Sequence, residues 1–164
     1  MFSSLSPFTK LHVVISLIGI VSGLVVMFGL LAGQKLNRWT ALFLTSTVAT
    51  SVTGFFFPFH GVTPAIVVGI ISLVLLAVAI VARYARHLAG AWRWIYVVTA
   101  MTSLYLNVFV LVVQLFQKVP ALKALAPTQS EPPFAVTQLV VLALFVLLTI
   151  VAVIKFRGEQ LQRA

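Results

Sequence analysis

From Trp39 to Ala82 the chain runs for 44 residues without a formally charged side chain. Wound as a single helix, that run would be about 66 Å long at 1.5 Å per residue. The hydrocarbon core of a bilayer is only about 30 Å thick. The segment must therefore fold back on itself, and its natural solvent is lipid. The break is visible at Phe57-Pro-Phe-His-Gly-Val-Thr-Pro64, where two prolines and a glycine interrupt the apolar pattern. One helix is expected over 39–57. The next is expected over 64–84, with Pro64 near its first position, where a missing N–H costs nothing.

Three further apolar runs have spanning length. The first covers 11–32, is longer than the apolar region of a signal peptide and is read as a retained helix. The fourth and fifth are placed at 94–116 and 134–154. Residues 117–133, with Pro120, Pro127, Pro132 and Pro133, are read as a connection lying on the membrane surface. The expected fold is thus one all-α membrane domain over 1–164, a bundle of about five transmembrane helices.

Composition agrees with lipid as the solvent: 62% of the residues are hydrophobic and 8% are charged, against roughly 25% charged in soluble domains. The formal charge of +9 does not indicate nucleic acid, because the basic residues flank apolar runs, as they do when they set membrane orientation. Lys35, Arg38, Arg83, Arg86, Arg93, Lys155, Arg157 and Arg163 fall on one side of the expected bundle, and Lys10, Lys118 and Lys123 on the other. The richer side is expected to be cytoplasmic, which places the N-terminus outside and the C-terminus inside. Compactness and short connections suggest a bacterial inner membrane.

Several polar residues lie inside these runs. Gly19-x-x-x-Gly23 and Gly29-x-x-x-Gly33 are small-residue patterns that bring helices close, either within the bundle or between two copies. Thr45 to Gly54 carries hydroxyls around most of a helix, and such groups can bond back to the preceding turn. In the fourth run Trp92, Tyr96, Thr99, Ser103, Asn107, Gln114 and Gln117 fall within about 80° of one another at 100° per residue. An amide in hydrocarbon is costly without a partner, so this stripe is expected to face inward. With the inferred topology, His12, Thr50, Thr53, Asn107 and Gln114 lie toward the outer side, and the outer connections add His60, Gln129 and Glu131. Two readings stand at this point: a polar pocket open to the outside, or mutual hydrogen bonding as interhelical glue.

Chemistry is narrowed mostly by what is missing. Without cysteine there is no disulfide, thiolate metal site or iron–sulfur cluster. Without aspartate there is no aspartyl dyad. Haem b needs facing imidazoles, and His12 with His60 is the pair that shares one side, His87 being opposite. A metal held by His12, His60 and Glu131 has no spacing motif behind it. A Ser–His–acid set would have to use Glu131, and no motif points there. No span carries the mid-membrane charge expected of a coupled transporter, although a passive pore of several copies stays open. The expectation is a non-enzymatic accessory subunit, or a bundle binding a lipid or small ligand through Thr50, Thr53, Asn107, Gln114, Gln129 and Glu131. Its partners would be the bilayer and another membrane protein or a second copy. A haem-binding redox protein using His12 and His60 is the alternative.

Overall fold

A computed structural model describes residues 6–58, 61 and 64–161. Of these, 84% are helical and none lies in a strand. The elements are α1 (Pro7–Leu31), α2 (Asn37–Gly54), α3 (Pro64–Ile80), α4 (Trp92–Lys118), α5 (Pro120–Leu125) and α6 (Pro132–Leu161), with a π-helical turn, Val81–Ala85, continuing α3. Four helical stretches are long and apolar enough to cross a membrane: Pro7–Leu31, Pro64–Ala85, Trp92–Lys118 and Pro132–Phe156. These mark the chain as a membrane protein. The remaining long helix, α2, has 18 residues and is more polar, carrying Thr40, Thr45, Ser46, Thr47, Thr50, Ser51 and Thr53.

Local chemistry sets the ends of α1. Ser6 caps the helix, its hydroxyl accepting from the Thr9 N–H at 3.2 Å, and a proline follows at the start. At the other end the Gln34 N–H donates to the Gly29 carbonyl at 2.8 Å and the Gly33 N–H to the Leu30 carbonyl at 3.1 Å. This paired closure needs a left-handed residue, and Gly33 supplies it at φ 72°. The turn between the π segment and α4 is less comfortable. His87, Leu88 and Gly90 all have positive φ, and a side chain at such a position costs on the order of 1 kcal/mol. Burial of Leu88 against the core offsets that strain. A short helix, α5, sits within the connection 117–133, started by Pro120 and stopped before Pro127.

The centre of the bundle is α4, which packs against α1, α3, α5 and α6, while α2 packs against α1 and α3. Its inward side holds Tyr96, Val97, Ala100, Met101 and Leu104, buried with Phe43 of α2, Leu76 of α3 and Phe156 of α6. The α1–α2 seam depends on small residues. A Cβ built on Gly23 would lie 2.5 Å from Leu104 Cδ1 and 2.9 Å from the Phe43 ring, and one on Gly19 would lie 3.2 Å from Thr47 Oγ1. The outward faces are apolar: α6 presents Val136, Leu139, Val140, Leu147 and Ile154, and α3 presents Val67, Ile70 and Val74.

The packing sorts the basic residues by end. Arg83 donates to the Asn37 side chain, Arg93 donates to the Phe156 carbonyl, and Gly33 lies against the Lys155 carbonyl. These contacts gather the α1–α2 connection, the α3–α4 connection and the end of α6 at one end, called here the arginine end. At the opposite, His12 end, Phe8 of α1 stacks on Phe57 beyond α2 at 5.1 Å.

Candidate functional site

The polar residues at the His12 end fall into three separate arrangements. In the first, His12 on α1 meets Thr53 in the last turn of α2, with Nδ1 2.8 Å from Oγ1. A threonine hydroxyl has one proton, and Thr53 can give it to the Ala49 carbonyl at 2.7 Å. When that proton goes to Ala49, His12 Nδ1 carries the hydrogen of the bond to Thr53 and Nε2 keeps its lone pair; in the other tautomer Thr53 donates to Nδ1. Ser16 donates back to the His12 carbonyl at 2.7 Å, and the Phe57 ring stands edge-on to the imidazole at 5.0 Å. Ring orientation is therefore held by an aromatic contact and a hydrogen bond together.

The second arrangement lies deeper. Asn107 of α4 donates through Nδ2 to Thr47 Oγ1 at 3.3 Å, a long bond passing close to Gly19. Without a side chain at Gly19, three helices meet at this level. Thr50, one turn along α2 from Thr47, has a half-buried side chain whose hydroxyl oxygen is fully enclosed and without a partner. Gln138 of α6 donates to the Phe109 carbonyl at 3.2 Å, and its own Oε1 is buried and unpartnered.

The third arrangement is the loop before α6. Gln129, at φ 61°, donates to the Val113 carbonyl at 2.9 Å and accepts from Gln117 at 3.3 Å. Glu131 accepts from the Thr128 N–H, the Thr128 hydroxyl and the Ser130 N–H at 3.0–3.2 Å. The Thr128 and Ser130 hydroxyls also bond to each other. Desolvation pushes the Glu131 carboxyl upward, but the hydrogen bonds from its own backbone, Thr128 and Ser130 outweigh it and hold the group below the usual value.

The structure thus brings His12 together with Thr53, and Asn107 together with Thr47. It leaves Gln129 and Glu131 engaged in their own loop. Gln114 is exposed on α4, on the same helix as Asn107 but outside these bonded groups. His60 lies outside the described residues, so the pairing of His12 with His60 does too. Among the described residues no three histidine or acidic side chains come close enough to hold a metal.

As chemistry, the described residues offer one imidazole, several amides and no acid bonded to the histidine. The hydroxyls of Ser16 and Thr53 point into carbonyls of the preceding turn. With its proton given to the His12 carbonyl, Ser16 is not arranged as an activated nucleophile, which would need that proton directed at a base.

Three contributors were not singled out by pattern. Thr47, which receives Asn107, is one hydroxyl among many in α2, and only its position opposite Gly19 distinguishes it. Arg83 and Arg93 read as flanking charges in the sequence, yet they are 8% and 6% exposed. Comparison with known protein families, curated proteins and solved structures finds no match to this chain.

Proposed function

We propose that this chain is a non-enzymatic integral membrane protein that works as an accessory subunit of a larger membrane assembly. It crosses a bacterial inner membrane five times, with its N-terminus outside and its C-terminus in the cytoplasm. The observation that carries this reading is where the polar bonds go. His12, Asn107 and Gln138 spend theirs between helices, and Gln129 and Glu131 spend theirs holding the α5–α6 connection. What remains outward on α3 and α6 is apolar, so the surface offered to other molecules in the membrane is a packing surface. Extraction into polymer-bounded native bilayer discs, followed by mass measurement, tests the role. A discrete species containing a second protein at fixed stoichiometry is expected; a chain carrying only lipid overturns it.

The crossing of α2 and the orientation can be tested directly, because the chain has no cysteine to remove. Pro58→Cys and Ser130→Cys should react with a membrane-impermeant maleimide on intact cells, and Lys35→Cys only after permeabilisation. Equal reaction of Pro58→Cys and Lys35→Cys from one side would mean that α2 does not cross.

A second reading rests on His12. With the hydrogen on Nδ1, its bond to Thr53 leaves Nε2 available, which is how outer partners prepare an imidazole for ligation. With His60 as the other axial ligand, that nitrogen would suit haem b. Purified protein would then show a Soret band that sharpens on dithionite reduction. A featureless visible spectrum from cells with adequate haem supply would sink this alternative.

A further inference from the structure

Among the described side chains, the arginine end contains an imbalance of charge. Arg83, in the π turn that ends α3, is 8% exposed, and Arg93, in the first turn of α4, is 6% exposed. Arginine keeps its charge even when buried. Arg83 makes one side-chain hydrogen bond, to Asn37 Oδ1 at 2.6 Å, and Arg93 makes one, to the Phe156 carbonyl at 3.3 Å. Each guanidinium has five N–H donors, so most of them find no acceptor among the described residues.

No carboxylate among the described side chains compensates either arginine. Glu131 is bonded within its own loop at the far end of the bundle. The remaining neighbours are aromatic. The Arg83 guanidinium lies 5.2 Å from the Tyr96 ring centre, and Arg93 lies 5.5 Å from that of Phe156. The two rings are themselves 6.4 Å apart. Ring faces stabilise a cation, but they bring no negative charge. The Tyr96 hydroxyl is buried beside Arg83 and Thr40.

Depth identifies what could supply the charge. Arg83 lies at the end of the apolar stretch Pro64–Ala85 and Arg93 at the start of Trp92–Lys118, beside Trp92 and the exposed Trp94 in the chain, and in a membrane the ends of spanning helices reach the lipid headgroups. Forked guanidinium donors match phosphate oxygens two at a time, and basic recesses between transmembrane helices are suited to anionic headgroups.

We propose that Arg83 and Arg93 form a binding site for an anionic phosphate group, placed between the end of α3, the start of α4 and the end of α6. The phosphodiester of an anionic phospholipid and free inorganic phosphate share this chemistry. The site rests on the chain being embedded in a membrane, and not on the accessory role proposed above.

The test uses the full chain in detergent, with melting followed by circular dichroism while short-chain phosphatidylglycerol, phosphatidylcholine or inorganic phosphate is added. Saturable stabilisation by phosphatidylglycerol, absent with phosphatidylcholine, is expected. Stabilisation by inorganic phosphate alone would identify the free ion as the ligand. Arg83→Lys and Arg93→Lys keep the charge but lose the fork, and each should weaken the apparent affinity about ten-fold, the loss of one charge-assisted hydrogen bond. Arg86→Gln and Lys155→Gln, exposed at the same end, should change it less than three-fold. Equal losses in all four variants would mean diffuse attraction and overturn the site, as would the absence of stabilisation by either phosphate source. Glu159→Gln should leave the affinity unchanged or raise it. A variant at Glu159 that melts as low as Arg93→Gln, in a protein indifferent to phosphatidylglycerol, would identify Glu159 as the counter-ion and overturn the proposal.

Discussion

His12 Nδ1 stands 2.8 Å from Thr53 Oγ1, joining the second turn of α1 to the last turn of α2. The bond closes the hairpin at the end opposite its connection, where nothing covalent holds the helices together. Thr53→Val removes the oxygen and keeps the shape. It should lower stability by about 0.6 kcal/mol, the average for interhelical bonds of this kind, and by no more than about 2. Thr53→Ser should recover most of the loss. SDS titration followed by circular dichroism reads both.

Gly23 should tolerate no side chain. The methyl group of Gly23→Ala would lie 2.5 Å from Leu104 and 2.9 Å from Phe43, and both neighbours are 1% exposed and have nowhere to move. Overpacking of this sort costs about 1–3 kcal/mol. Gly54→Ala is the contrasting case, because its new Cβ would meet nothing closer than His12 Cε1 at 3.8 Å. It should unfold at the same SDS concentration as the parent or a higher one.

Asn107→Leu should insert and fold. The amide makes a single long bond, 3.3 Å to Thr47, so stability should fall by less than about 1 kcal/mol. If Asn107 instead contacts a bound small molecule, the variant will lose activity in a complementation assay while its unfolding midpoint stays put. Comparing the two readouts separates glue from pocket.

Glu131 gives a pH dependence with a definite sign. Its folded value lies below the ordinary 4.5, so the stabilisation of the loop is complete above that value. It is lost as pH falls through the lowered value. Hydrogen exchange at Thr128 and Ser130 should accelerate, relative to the intrinsic rate, only once the pH has fallen below the ordinary glutamate value. Glu131→Gln should abolish that step without moving the global transition.

What was legible in the sequence follows from what a membrane demands. The apolar runs, their prolines and the segregation of Lys and Arg can be read because lipid imposes span length and excludes charge residue by residue. The inward face of α4 is legible for a related reason: Tyr96, Thr99 and Ser103 are all buried. The stripe does not continue to its end: Gln114 and Gln117 are exposed, while Val112 and Phe116 on the same stretch of α4 are buried with Ala126. Pairing was beyond reach. Nothing in the pattern selects Thr47 over Thr45 or Thr50 as the partner of Asn107, since that choice is made by the rotation of α2 against α1 at Gly19. Burial of Arg83 and Arg93 was equally hidden, because it depends on the π turn and on where α6 crosses the end of the bundle.

The position of α4 has a consequence for how the protein is made. Helices leave the ribosome in order, so α1, α2 and α3 reach the bilayer before the element they pack around. Until then Gly23 lacks Leu104 and Thr47 lacks Asn107. The α1–α2 hairpin must survive that interval on its own seam, with His12 and Thr53 latching its open end and the Gly33 turn holding the other. Truncation after residue 91 should therefore yield an inserted chain with a protease-resistant α1–α2 pair, and Gly19→Val should make that intermediate, before any other, a target for degradation.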